Sequence, residues 1–341
     1  VSGEPLLAID ELSLAIDTAQ GLARILDRCR LRLEPGEIMG LVGESGCGKS
    51  TIVRAILGVL PGAARITSGS IRFGGLELTS LGERRLSREI RGRMIGFIPQ
   101  DPAQALNPNF RVGEQLLEIW RWHGEPGPAH RARGRERLLA LLRRVQMPDP
   151  AAALERYPHQ FSGGQRQRLL IAAALLCRPR LIIADEPTTA LDVTTQQQIL
   201  ALLGELAREN QVAVLFVTHD FGVVSQLCDR VTVMYAGQTV EQGAKRSLLA
   251  DPRHPYTRAL LDCHPDRMTM LGGIPGAVPL LVDPPPGCRF ATRCVHAMAR
   301  CGERTPRLDA GPHTVDCRLA DEAHGEALSV PPLPAPPELR G

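Results

Sequence analysis

The eight residues GESGCGKS (Gly43–Ser50) restrict this chain more than any other part of its 341 residues. They follow an unbroken apolar run, Ile38–Val42, and open an amphipathic stretch, Ser50–Leu60. A buried strand, a glycine-rich turn and a helix in that order make a phosphate-binding loop. The glycines let backbone N–H groups converge on phosphate oxygens, and the helix N-terminus adds a positive field. Lys49 supplies a compact charge to the β- and γ-phosphates, and the Ser50 hydroxyl is offered to Mg²⁺. Of 40 basic residues only Lys49 and Lys245 are lysines, so a lysine at this point of the pattern carries weight.

The surrounding pattern agrees with a phosphate-loop fold. Ile38–Val42, Ile95–Ile98, Leu181–Ala184 and Val212–Val217 are apolar without alternation, as strands of a parallel sheet covered on both faces should be. Helical stretches such as Ser50–Leu60 and Thr194–Glu209 follow several of them, which predicts an α/β fold with a doubly wound sheet. Between Asp101 and Gln160 the pattern turns helical and Arg-rich, a helical insertion; Val231–Gly243 reads as a hairpin turning at Ala236-Gly237. Apolar residues at 43 % and charged residues at 23 % exclude a disordered or fibrous chain. The longest apolar run, Leu169–Cys177, has 9 residues, too few to span a bilayer, and the acidic start lacks the features of a secretion signal. A net charge of +3 does not point to nucleic acid, and the Arg clusters at Arg84–Arg93 and Arg131–Arg144 read as solvated helix faces.

Two further motifs carry chemistry. LIIADEP (Leu181–Pro187) is an apolar strand ending in adjacent acids. In a phosphate-loop fold Asp185 can hold Mg²⁺ through water, which leaves Glu186 to orient or deprotonate the attacking water. FSGGQRQR (Phe161–Arg168) precedes the apolar run LLIAAALLC. Taken alone it is a helix start, with Ser162 capping and the glycines exposing N–H groups.

Taken together, these motifs resemble the ATP-binding subunits of ABC transporters. Phosphate loop, Gln100 in IPQDP, SGGQ signature, Asp-Glu strand end, ALD (Ala190–Asp192) and THD with His219 occur in that family's order. The resemblance covers about residues 5–330 and implies a phosphate-loop ATPase core (1–250) with an antiparallel β subsheet and a helical subdomain at about 101–160. It implies that Gly43, Glu44, Ser45, Gly46, Cys47, Gly48, Lys49, Ser50 and Thr51 bind nucleotide, with Mg²⁺ held by Ser50, Gln100 and, through water, Asp185. Catalysis would rest on Glu186, His219 and Gln100. It also implies a head-to-tail dimer with a second ATPase subunit, identical or paralogous. There Ser162, Gly163, Gly164 and Gln165 contact the ATP of the other chain, and Asp192 couples the two sites. One departure stands out: the family stacks adenine on an aromatic residue near the first strands, yet Phe73 is the first aromatic here. Modest discrimination between ATP and GTP is expected.

Proline separates the remainder, with 15 of 28 prolines in the last 91 residues. RHPYTRALL (Arg253–Leu261), GGIPGAVP (Gly272–Pro279) and GCRFATRC (Gly287–Cys294) resemble the C-terminal extension of oligopeptide/dipeptide importer subunits, a group shared with nickel systems. The extension is expected to be small and irregular over 251–328, with a Pro-rich disordered tail at 329–341. Its Cys288, Cys294, Cys301 and Cys317 have neither zinc-finger nor ferredoxin spacing. Four thiolates could close around a 4Fe–4S cluster or Zn²⁺, or remain unliganded; the resemblance favours the cluster. The other five cysteines read as buried or loop residues, and alkylation of Cys47 should block ATP. The chain is therefore expected to be an ATPase on the cytoplasmic face of the inner membrane, driving import of peptides or similar small solutes. It would act through two permease subunits and, indirectly, an extracytoplasmic solute-binding protein. The alternative, a soluble ABC ATPase acting on ribosomes or DNA, predicts tandem halves, a long coiled coil or a strongly basic tail, none of which is seen.

Overall fold

Apolar runs with no polar face can be satisfied only in the middle of a layered structure, and that is where they lie. The computed structural model describes residues 4–189, 191–263, 273–310 and 313–322. Its strands are β1 (Leu7–Thr18), β2 (Gly21–Leu33), β3 (Ile38–Val42), β4 (Ala64–Phe73), β5 (Leu76–Glu77), β6 (Ile95–Ile98), β7 (Leu181–Asp185), β8 (Ala213–Thr218), β9 (Arg230–Tyr235), β10 (Gln238–Ala244), β11 (Leu308–Ala310) and β12 (His313–Val315). They form a four-stranded antiparallel sheet, β2-β1-β4-β5, and an eight-stranded sheet, β11-β12-β10-β9-β3-β8-β7-β6. From β9 to β6 the second sheet is parallel throughout.

The central strands divide their side chains between two cores because successive residues point to opposite faces. Ile38, Val42, Ile182, Ala184, Val214 and Phe216 face a core shared with the helices of the insertion. Met39, Leu41, Leu181, Ile183, Leu215 and Val217 face the other core, against helix Lys49–Leu57 and the antiparallel sheet. The carboxyl ends of β3, β6, β7 and β8 therefore open along one edge of the sheet, where ligands of such folds bind.

Several boundaries move for local reasons. Helix Lys49–Leu57 stops before Leu60 because Gly58 adopts φ 65 and its N–H closes on the Arg54 and Ala55 carbonyls. Asp185 extends β7 by one residue through pairing with Val217. Ala236 and Gly237, with φ 42 and 83, make the turn between β9 and β10. Helices Val112–His123, His130–Arg144 and Pro150–Glu155 lie within the segment expected to be a helical insertion.

The C-terminal extension is less irregular than expected. After a run of turns, β11 and β12 add two strands to the main sheet, Glu241 of β10 pairing with Val315 of β12. Glu241 is also the junction's anchor: its buried carboxylate accepts from the Arg253 and His254 backbone N–H groups at 2.8 and 3.1 Å. His313 Nδ1 lies 3.0 Å from the same carboxylate. The proline-rich tail at 329–341 and Ala190 lie outside the described residues.

Candidate functional site

The phosphate loop joins β3 to helix Lys49–Leu57 and is tightly shaped. A Cβ on Gly43 would come within 2.2 Å of the Met234 carbonyl oxygen, so only glycine fits where the loop leaves the strand. Lys49 is 5 % exposed, and its ammonium donates to the Gly43 and Glu44 carbonyls at 2.7 and 3.1 Å. No acid occupies the helix's first turn, which leaves its positive end free for an anion. Ser45, Gly46 and Ser50 face outward, whereas Cys47 is buried and its thiol is pushed up by burial. A buried, protonated thiol is a poor nucleophile, so alkylation at Cys47 requires the loop to open first.

The strand ends bring the acids to this loop. Asp185 closes β7 and is hydrogen-bonded to Ser50; burial pushes its carboxyl up, and neighbouring Glu186 adds to the effect. A desolvated carboxylate beside a hydroxyl and a second acid is a donor set that suits a hard cation. Glu186 follows with φ 45, a left-handed conformation that costs a non-glycine residue energy and aims its side chain across the sheet edge. Gln100 Nε2, just past β6, donates to Glu186 Oε2 at 3.2 Å, and His219 Nδ1, just past β8, lies 3.4 Å from Glu186 Oε1. Thr189 Oγ1 donates to the same carboxylate at 3.2 Å. The three residues expected to act together thus meet, although Gln100 and His219 lie far from Glu186 in sequence.

The signature and the Asp192 loop form a second neighbourhood. Ser162 caps helix Gly163–Leu175: its hydroxyl accepts from the Gln165 N–H at 3.3 Å, and the Gln165 side chain accepts from the Ser162 N–H at 3.1 Å. Asp192 caps helix Val193–Glu209 through Thr195, whose N–H and hydroxyl hold its carboxyl below the usual range. A Cβ on Gly164 would meet Thr195 at 2.6 Å, so the two helix N-termini touch there. Ser162, Gly163 and Asp192 are exposed.

The sequence did not disclose how the extension meets this site. Leu22, near the start of β2 in the stretch 22–25, which holds no aromatic residue, is 45 % exposed, and nearby the Arg24 N–H donates to the Leu281 carbonyl at 2.7 Å. Tyr256 accepts from the Glu44 N–H at 2.9 Å, and Arg293 binds the Glu44 carboxylate at 2.8 and 3.3 Å. Arg289 is 1 % exposed and donates to the Arg24 and Ala236 carbonyls. The scarce aromatic residues Tyr256 and Phe290, inside a proline-broken segment, were the available signal.

The cysteine expectation needs correction in its geometry. Burial raises the Cys288 thiol, and Cys294, Cys301 and Cys317 lie near enough to add to that rise; the Cys288 N–H donates to the Cys301 carbonyl at 2.9 Å. Yet among the described residues no three His, Cys, Asp or Glu side chains stand in an arrangement that could hold a metal ion. The reason is packing: Cys288 and Cys294 rest against the main core, whereas Cys317 belongs to a separate small cluster with Val315 and Ala320. Burial drives the Cys288 thiol to about 12 and Cys317 to about 11, so both are neutral when no metal is bound.

Residues 26–189 match the family described as ABC transporter, and residues 240–301 match the oligopeptide/dipeptide transporter C-terminal region. The chain is 44 % identical over 332 residues to the dipeptide transport ATP-binding protein DppD of Bacillus subtilis, covering 95 % of this chain and 98 % of that protein. It is 45 % identical over 305 residues to the oligopeptide transport ATP-binding protein OppD of Salmonella typhimurium, covering 88 % and 89 %. Among solved structures, the ATP-binding cassette MJ0796, a dimer in a post-hydrolysis state with ADP and Pi, superposes with a TM-score of 0.61 at 28 % identity, covering 70 % of this chain and 99 % of that one. A cbiO1 subunit from Clostridium perfringens gives 0.61 at 26 % identity, covering 73 % and 92 %.

Proposed function

The chain belongs to the ABC transporter family, in the branch with the oligopeptide/dipeptide C-terminal region, and from that premise we propose that it is the ATP-hydrolysing subunit of an importer of peptides or similar small solutes. The observation that carries the catalytic reading is the meeting of Gln100, Glu186 and His219 beside the Ser50–Asp185 pair. ATP is the substrate. Lys49 and the loop N–H groups bind its phosphates, and Ser50, Asp185 and Gln100 would hold Mg²⁺, which neutralises phosphate charge when bound. Glu186 takes a proton from water as the water oxygen bonds to the γ-phosphorus and the bond to the β-phosphate oxygen breaks. His219 and Gln100 orient the base and the transferred phosphoryl group.

In this reading the signature, Ser162–Gln165, with Ser162 and Gly163 exposed, serves the nucleotide of a second ATPase subunit, identical or paralogous, in a head-to-tail dimer. Asp192, beside it, ties the two sites together. ATP favours the closed dimer, and hydrolysis releases it, so the work on two permease subunits comes from differential affinity. We place the chain peripherally at the cytoplasmic face, as a subunit of a membrane importer; no helix among the described residues is long and apolar enough to cross a membrane. We divide the chain at about residue 250, with the helical subdomain at 101–160 and the extension thereafter. For Cys288, Cys294, Cys301 and Cys317 the resemblance is the support for a 4Fe–4S cluster, with Zn²⁺ as the alternative; either requires Cys317 to leave its own small cluster and close on Cys288 and Cys294.

The test is co-purification with two multi-spanning permease chains and peptide uptake into vesicles. Uptake that requires ATP and disappears in Lys49→Ala is the expected result. Purification with ribosomes or DNA, and no membrane partner, would overturn it.

A further inference from the structure

We infer that Arg293, on the cysteine-bearing extension, is a positioning residue for ATP binding that holds the phosphate loop in shape through Glu44. This rests on the reading of Gly43–Ser50 as the ATP site.

Glu44 is an awkward residue for its place. It follows Gly43 in a loop whose backbone is arranged to receive polyphosphate, and a free carboxylate there would repel the ligand. Arg293 removes that charge from play. Its side chain is 3 % exposed, and every guanidinium N–H has an acceptor. Nη1 donates to Glu44 Oε2 at 2.8 Å and to the Tyr235 hydroxyl at 3.2 Å. Nη2 donates to Glu44 Oε1 at 3.3 Å and to the Ile274 carbonyl at 2.7 Å, and Nε to the Pro275 carbonyl at 2.9 Å. The guanidinium carbon lies 5.7 Å from the Tyr235 ring centre and 6.0 Å from that of Phe290. A saturated fork of this kind fixes direction as well as charge, which a lysine ammonium would not.

Two further contacts from the same part of the chain act on the loop. The Glu44 N–H donates to the Tyr256 hydroxyl at 2.9 Å. Arg289 holds the Ala236 carbonyl, beside Gly237, whose N–H donates to the Cys47 carbonyl at 2.8 Å. The outer wall of the nucleotide site is therefore built by the extension and the turn it grips. Arg293 immediately precedes Cys294, so the segment that shapes the loop is also the segment that carries the thiols.

The test is a double-mutant cycle read by calorimetric titration of Mg·ATP into the full-length chain. Wild type, Arg293→Met, Glu44→Gln and the double variant are compared, with cooperative melting confirmed for each. Arg293→Met should weaken ATP about ten-fold or more, because it leaves the Glu44 carboxylate unpaired beside the phosphates. In the Glu44→Gln background the same change should cost much less. Equal losses in both backgrounds would reduce Arg293 to general packing, and an unchanged affinity for Arg293→Met would also overturn the inference. Should Arg293→Met fail to melt cooperatively, Arg293→Lys takes its place in the cycle; retaining charge without the fork, it should give an intermediate loss that again vanishes with Glu44→Gln. Absence of ATP binding by wild type would sink the reading of the site itself, whereas wild-type binding with unmoved variants sinks only the role of Arg293.

Discussion

His219 Nδ1 lies 3.4 Å from Glu186 Oε1, a contact that links the residue just past β8 to the residue just past β7. Neighbouring parallel strands end side by side, so residues that follow them meet without any designed loop between. The Glu186 side chain is 17 % exposed.

Replacing Glu186 by Gln keeps the side-chain size and its bond to Gln100 but removes the base. Steady-state phosphate release should fall at least about a hundred-fold. ATP affinity should persist, and a nucleotide-loaded dimer should accumulate on light scattering. Turnover at the wild-type rate would exclude Glu186 as the base.

Lys49 donates to the Gly43 and Glu44 carbonyls and approaches Cys47 Sγ at 3.8 Å, so the ammonium both shapes the loop and stands ready for phosphate. Lys49→Ala should weaken ATP by about ten-fold or more while ADP loses less, if the ammonium serves the terminal phosphates as proposed. Calorimetry with both nucleotides separates the two. Parallel losses would contradict that role.

Gly164 has no room for a Cβ beside Thr195. Gly164→Ala should displace the signature and depress hydrolysis, with ATP affinity of the isolated chain close to wild type, if the signature serves the partner's nucleotide as proposed. An equal loss of affinity and turnover would point to a role within one chain.

His254 caps helix Pro255–Asp262 by accepting from the Tyr256 N–H at 3.0 Å, and burial pushes its imidazole down to about 4 against the pull of Glu241. In the unfolded chain the ring titrates near 6.5. Between those values the unfolded chain binds a proton that the folded ring refuses, so stability falls as pH drops from about 6.5 toward about 4. His254→Asn retains a cap and should flatten that part of the profile in urea unfolding. Identical pH slopes for both proteins would remove His254 as the source.

Protein purified without oxygen should be brown and contain iron and sulfide in about equal amounts, lost on replacing Cys288 and Cys301 by Ser. Colourless protein with one zinc would favour the alternative. Metal-free protein with nine free thiols would leave the cysteines as packing residues.

The phosphate loop, the Asp-Glu strand end and the signature were legible because each is a local device. An apolar strand, a turn of fixed length and a helix start within a few residues impose their own geometry; the sequence around Ile38–Ser50 states all three, and Leu181–Glu186 states the strand and its acidic end. The helix stop at Gly58 is also a one-residue signal, but the helix expected from the sequence runs past it to Leu60. The contacts among Gln100, Glu186 and His219 needed the strand order, and the grip of Tyr256, Arg289 and Arg293 on the phosphate loop needed the whole chain. Those side chains come from short, proline-broken segments with no period to read, and Arg293 reaches a residue 249 positions away. What the sequence by itself determined was which chemistry the chain carries. Only the tertiary structure decided that the cysteine-bearing extension builds one wall of the nucleotide site, because contacts between irregular segments depend on where the sheet puts them.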